Sequence, residues 1–298
     1  MSGRRHEEPR LLRMVDAGST GVAAVVPTFR PPESVIDLLA ALRDMVDAVV
    51  VSDDASPATF DAILRETPVP TIRHERNAGI ARSLNAGLAF ARDHDLAWLL
   101  TVDQDSALTD GYVSALLASV DTASVAGIDV GAVAAETIVA DGTPLTYPIE
   151  SISGVMTTAE VFQSGTLWSV RALEGIGGFD GSFGMDGVDT AACLALRRQG
   201  YRIVLAPGAQ LTHGYGSARP VRLLGRTVMS TQHSPERRTQ MVRSRLRLFP
   251  KELRTDPAQA LRSLRRIVVN TTLAVSVEDE RWAQAKATLR GLRPRRYR

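Results

Sequence analysis

The chain has a single cysteine, Cys193, and only two lysines, Lys251 and Lys286, among its 298 residues. One cysteine cannot close an intramolecular disulfide, and without a CxxC or Cys/His cluster the sequence offers no zinc site. No apolar run nears the roughly 20 residues that a membrane-spanning helix needs. The opening MSGRRHEEPR lacks the apolar core of a secretory signal. These absences together give the expectation of a cytoplasmic protein. GxxxxGK[ST] is missing, no GxGxxG follows the first apolar run, where PTFRPP stands instead, and no convincing GxSxG or HExxH occurs. The P-loop, dinucleotide-fingerprint, serine-hydrolase and zinc-protease classes are disfavoured on that ground. A diphosphate bound here would need a metal ion and side chains to neutralise it.

What is present fits a large α/β domain with a smaller appendage, at 44% apolar and 23% charged residues. The net charge of +2 hides a division. Residues 1–218 carry 15 basic and 27 acidic side chains, net −12, whereas residues 219–298 carry 20 basic and 6 acidic, net +14. A basic tail on an acidic body is expected to meet something anionic.

Residues 1–20 are polar and without period, which reads as a flexible lead-in. From residue 22 short β-branched runs alternate with helical stretches. Strands are expected over 22–27, 47–52, 69–73 and 96–102, with helices over 33–45, 59–66 and 80–93. This βαβαβαβ order implies a doubly wound, mainly parallel sheet. Further on, strands are expected near 128–139 and 150–158, a helix over 188–199 and a strand pair over 201–213. Residues 257–275 place Leu261, Leu264 and Val268 on one helical face, with Arg262, Arg265 and Arg266 elsewhere.

Ligands of such sheets sit beyond the strand carboxyl ends. Two acidic pairs fall there: Asp53 and Asp54 in VVVSDDAS, and Asp103 and Asp105 in TVDQDS. Carboxylates two apart suit Mg²⁺ or Mn²⁺, which take hard oxygen ligands and share them with phosphates. A single pair of this kind is better explained by turns and helix caps. Two pairs at successive strand ends favour chemistry.

In order along the chain, PTFR (27–30), DDAS (53–56), NAGIARSLNAG (77–87), TVDQDS (101–106), SGTLWSV (164–170), GGFDGSFGMDGVD (177–189) and LTHGYG (211–216) resemble inverting family 2 glycosyltransferases. The likeness is to bacterial rhamnosyltransferase-like members in particular and runs over 22–248. It implies a GT-A (nucleotide-diphospho-sugar transferase) fold and transfer from a nucleotide-sugar donor to a glycan or lipid-linked acceptor, with a divalent metal, Mg²⁺ or Mn²⁺. It implies Pro27, Thr28 and Asp53 at the nucleobase side, Asn77 and Arg82 at the diphosphate side, and Asp103 at the ribose or metal. Asp105 and His213 would hold the metal, Asp189 would be the catalytic base, and Gly165 and Asp186 would border the acceptor. dTDP-rhamnose is the first-guess donor. The sequence departs from the family at Ala191, where a further acid is usual. It departs again at Thr239, Gln240 and Ser244, which implies altered acceptor contacts.

The expected division is a lead-in (1–20), a GT-A domain (21–218) and a basic, mainly helical extension (219–298). The amphipathic stretch of that extension suits either an anionic membrane surface or packing on the fold or another subunit. Nucleic acid is not expected, because the acidic body would repel it. A sugar-nucleotide-binding or scaffolding relative with impaired catalysis stands as the alternative function. A nucleotidyltransferase is disfavoured for want of a glycine-rich, lysine-bearing loop after the first strand.

Overall fold

The computed structural model describes residues 21–140, 142–213, 219–223, 226–230, 233–277 and 280–293. The expected lead-in lies outside them. In chain order the first half comprises β1 (Val22–Thr28), α1 (Val35–Met45), β2 (Ala48–Asp53), α2 (Asp61–Glu66), β3 (Thr71–Arg73), α3 (Ile80–Asp93), β4 (Trp98–Thr101), β5 (Ser106–Leu108) and α4 (Tyr112–Val125). There follow β6 (Val130–Ala140), β7 (Thr143–Thr146), β8 (Glu150–Ile152), β9 (Val155–Thr158), β10 (Thr166–Ser169), α5 (Val170–Gly175), α6 (Val188–Arg198) and β11 (Arg202–His213). The chain closes with β12 (Arg219–Leu223), β13 (Arg226–Ser230), α7 (Pro235–Thr255), α8 (Pro257–Val277) and α9 (Arg281–Leu292).

The main sheet runs β3-β2-β1-β4-β10-β6-β11-β9-β8. β1 pairs in parallel with β2 on one side and with β4 on the other. The chain thus winds outward from β1 to β3 and then returns to β1's other flank, which opens a crevice at the carboxyl ends of β1 and β4. Along β1, Ala23 and Val25 face one core while Val22, Ala24 and Val26 face the other. Both faces are therefore covered, and each fully buried Val or Leu side chain contributes about 1.5–3 kcal/mol.

β6 and β11 continue the direction of β4, but β10 runs against both β4 and β6. The mainly parallel sheet is thus mixed at its centre, a reversal that no local pattern announces. The expected strand pair over 201–213 is one strand, β11, whose pairing with β6 slips between Ala206 and Gln210. Pro207 stands in that gap and has no N–H to give the ladder, so the strand bulges there rather than ending. α4 had no counterpart among the expected elements. It lies against β6 and β11, and its apolar residues encircle much of the helix instead of forming one stripe.

After the main sheet, α7, α8 and α9 form a three-helix bundle. Ser263 donates to Glu252 (3.3 Å) while Arg238 donates to the Asn270 carbonyl (3.3 Å), so α8 runs antiparallel to α7. Arg238 also bonds Gln284 (2.8 Å), and Thr239 bonds the Ala287 carbonyl (3.1 Å), so α9 runs parallel to α7. The bundle is fastened to α6 by the Arg197–Asp256 ion pair, at 2.7 Å and largely screened from water.

Candidate functional site

Thr28 ends β1 and Asp53 ends β2, paired in register. The Asp53 carboxylate is fully buried and accepts from Thr28 Oγ1 (3.1 Å), Ser56 N (2.9 Å) and Ser56 Oγ (2.5 Å), with Arg73 Nε at 3.7 Å. Its first work is to fix the loop after β2 against the end of β1. Asp54 accepts from the backbone N–H groups of Ala78 (2.9 Å) and Gly79 (2.8 Å), holding the turn that begins α3. For Asp54 the turn-forming explanation of the acidic pair is the one realised. Pro27 lies opposite Ser52 in the same register, and Asn77 and Arg82 are exposed around the start of α3. His74 bonds Ser52 Oγ (3.0 Å) in this group. Burial and Arg82 lower its pKa against the opposing pull of Asp54 and Asp53.

The loop after β4 is held from two sides. Gln104 accepts from Phe29 N (3.1 Å) and donates to Phe29 O (3.3 Å), locking the DQD loop to the PTF loop. On the other side Asp103 N donates to Ser164 Oγ (2.9 Å), and the Gln163 amide nitrogen donates to the Asp103 carboxylate. The buried Gln163 keeps its amide oxygen without a hydrogen-bond partner. Asp103 and Asp105 both line a cavity of about 520 Å³, within the range usual for ligand sites. β11 brings the His213 backbone opposite Ser106, next in sequence to Asp105. The side chain of His213 lies outside the described part. Among the described residues no group of three His, Cys, Asp or Glu could hold a metal ion. Two carboxylates at one cavity do suit an ion that takes its remaining ligands from a diphosphate.

Asp189 lines the same cavity from the first turn of α6. Gly187 starts that helix at φ +94°, where an added Cβ would press on Ser244 of α7 (3.1 Å), so glycine is required for the turn that aims Asp189. Burial pushes the Asp189 carboxyl up to about 6; the Thr190 N–H and Arg245 oppose the rise, while Glu160 and Asp186 add to it. Asp186 is likewise raised by burial, against the pull of Arg237 at 3.5 Å, and its Oδ2 has no hydrogen-bond partner. A base with a pKa near neutrality is well placed to take a proton from a hydroxyl.

Gly165, which the resemblance places beside an acceptor, follows Ser164 of the cavity lining. It is buried at φ +74°, and a Cβ there would meet the Tyr112 hydroxyl (2.6 Å) and Leu211 (2.9 Å).

Part of the wall comes from the bundle: His233, Arg237, Met241, Ser244 and Arg245 of α7 and its approach, with Arg266 and Asn270 of α8. Arg245 and Arg266 converge on Glu160, at 3.4 and 2.8 Å, and Thr190 Oγ1 donates to the same carboxylate (3.2 Å). Glu160 is mostly shielded from water, yet the two arginines hold its pKa below the usual range. His233 is lowered to about 4 by burial, Arg237 and Arg238. Sequence reasoning missed Glu160, Gln163, His233, Arg245 and Arg266. The only signal for them was the charge split, which did not say where the arginines go.

Residues 23–155, just under half of the chain, match the family described as Glycosyl transferase family 2. No curated protein matches. Among solved structures, S. aureus TarS 1–349 superposes with a TM-score of 0.58 at 16% identity, over 90% of this chain and 79% of that one. Longer S. aureus TarS gives 0.60 at 16%, over 92% and 49%. GalNAc-T7 with UDP, GalNAc and Mn²⁺ gives 0.51 at 11%, over 91% and 55%. The chain spans about half the length of these last two. TarS 1–349 has also been solved with UDP-GlcNAc and with UDP. The fold is therefore of GT-A type, a mixed α/β sheet with a helical C-terminal region.

Proposed function

We propose that the protein is an inverting, metal-dependent glycosyltransferase that moves a sugar from a nucleotide-sugar donor to a glycan or lipid-linked acceptor. The observation that carries this reading is the meeting of Asp103, Asp105 and Asp189 at one cavity beyond the strand carboxyl ends of a GT-A-type sheet. The family match over 23–155 and the nucleotide-sugar ligands of TarS support it.

Thr28 and the loop fixed by Asp53 form the nucleobase side of the donor site, with Arg82 and Asn77 toward the diphosphate. Asp105, with Asp103 and His213 at hand, would hold the divalent ion, which when bound supplies Lewis-acid stabilisation of the departing diphosphate. Asp189 accepts the proton of the acceptor hydroxyl as its oxygen attacks the anomeric carbon. The bond from that carbon to the diphosphate oxygen breaks on the opposite face, and the electron pair leaves with the nucleotide. A base without a protein nucleophile gives inversion. Gln163 and Asp186 line the same space, and each keeps one buried side-chain oxygen without a hydrogen-bond partner.

The donor of first choice is dTDP-rhamnose, on the resemblance around DQDS and 178–189. The alternative, a sugar-nucleotide-binding relative with impaired catalysis, rests on the departures at Ala191, Thr239, Gln240 and Ser244; Asp189 follows the Gly187 N-cap and bonds the adjacent Thr190 N–H (2.7 Å), so capping does not account for it. Incubation with a panel of nucleotide-sugars, with and without acceptor and Mn²⁺, separates the two. Turnover of a donor supports the transferase, whereas donor binding with no turnover under any condition supports the alternative.

A further inference from the structure

α8 turns its apolar residues outward. Leu261, Leu264, Val268 and Val269 are 68%, 39%, 57% and 46% exposed, although the helix is packed in a bundle. At 100° per residue these four, with Arg265 and Thr272 among them, occupy an arc of roughly 140°. The fully buried positions are small or polar instead, Gln259, Ala260, Ser263 and Ala274, with Ile267 and Leu273 half-buried beside them. The stripe legible in the sequence is therefore not the stripe that packs. Its contact lies outside the bundle.

Charge selects among the occupants. α8 carries three arginines and no acid, α9 carries Arg281, Lys286 and Arg290 and no acid, and the connection between them holds Glu278, Asp279 and Glu280, so the pair of helices remains net positive. A second copy laid face to face would bring like charges together, which is unfavourable. A nucleic acid would find aliphatic side chains at the centre of the surface. An anionic bilayer accepts both parts, since aliphatic side chains enter the headgroup boundary while arginines meet phosphate. Trp282, 83% exposed just after α8, is a residue type that favours such boundaries. No helix among the described residues is long and apolar enough to cross a membrane, so the contact is peripheral.

We infer that the outer face of α8 is a docking surface for an anionic lipid bilayer. The same helix gives Arg266 and Asn270, on the side away from that arc, to the cavity wall.

The test is sedimentation of the full chain with phosphatidylcholine vesicles, plain or containing about one third phosphatidylglycerol. At low salt the protein should bind the anionic vesicles at least about tenfold more tightly than the neutral ones, and salt should release it. Leu264→Glu with Val268→Glu should lower that binding about tenfold or more, and Arg262→Gln with Arg265→Gln about fivefold per arginine. Leu264 and Val268 are exposed, so far-ultraviolet circular dichroism and melting of the apolar double variant should be unchanged. Absence of wild-type binding at low salt, or equal binding by the apolar double variant, overturns the inference. So does a wild-type dimer in solution that the same double variant dissolves, since the face then belongs to a second copy.

Discussion

Replacing Arg245 by methionine removes a positive charge beside Asp189 while keeping an unbranched stem of similar length in α7. The Asp189 carboxyl is raised to about 6 by burial, with Arg245 among the groups that restrain the rise. A neighbouring opposite charge lowers a carboxyl's pKa by about one to three pH units. Arg245 is shared with Glu160 (3.4 Å) and Glu252 (3.9 Å), so the low end of that range applies. Glu160 keeps Arg266 at 2.8 Å and stays ionised in the variant. The acid limb of activity should then move from near 6 to about 7. At pH 6 the wild-type base is about half ionised and the variant's about one tenth, so kcat/KM should fall about fivefold there and less than about twofold at pH 8. The assay is kcat/KM for transfer against pH, with thermal unfolding run beside it and Arg245→Lys as partial rescue. A loss of the same size at every pH, or an acid limb that moves downward, would refute this coupling between the bundle and the base.

For the metal, EDTA should abolish transfer and Mg²⁺ or Mn²⁺ restore it, and Asp105→Ala should weaken donor binding by about tenfold or more; full activity in EDTA would remove the ion from the mechanism. On the donor, dTDP-rhamnose should be turned over in preference to UDP-hexoses, and turnover of a UDP-sugar alone would refute that choice while sparing the fold. In the core, Gly87 of α3 sits so close to β1 that an added Cβ would overlap Val25. Gly87→Ala should therefore cost about 1–3 kcal/mol of stability in urea unfolding, although helix propensity alone favours alanine by about 1 kcal/mol. A more stable variant would show that α3 can shift away.

The sheet from β1 to β4 and the helix α3 were legible because long apolar runs alternate with amphipathic helices there, and both cores read that alternation directly. The DQD aspartates were legible for the same reason, since strand ends are easy to locate. β10's reversed direction was hidden, because four residues between loops carry no directional signal. The division of labour within DDAS was also hidden: Asp53 and Asp54 are identical in type, yet one binds side chains and the other caps a turn. Least legible was the wall built by the bundle. Arg237, Arg245 and Arg266 looked like three charges of a basic tail, and only tertiary packing sets them against Asp186 and Glu160.

Asp189→Asn compared with wild type, in donor binding by calorimetry and in transfer under single-turnover conditions, bears most directly on the proposed chemistry. The amide keeps the shape of the carboxyl and loses only its capacity to take a proton. Donor affinity should stay within a few fold, because the carboxylate acts on the acceptor, while transfer should fall by about 10²–10⁴-fold. Transfer at a near-wild-type rate in the variant, or a wild-type protein that neither binds nor turns over any nucleotide-sugar, would contradict it.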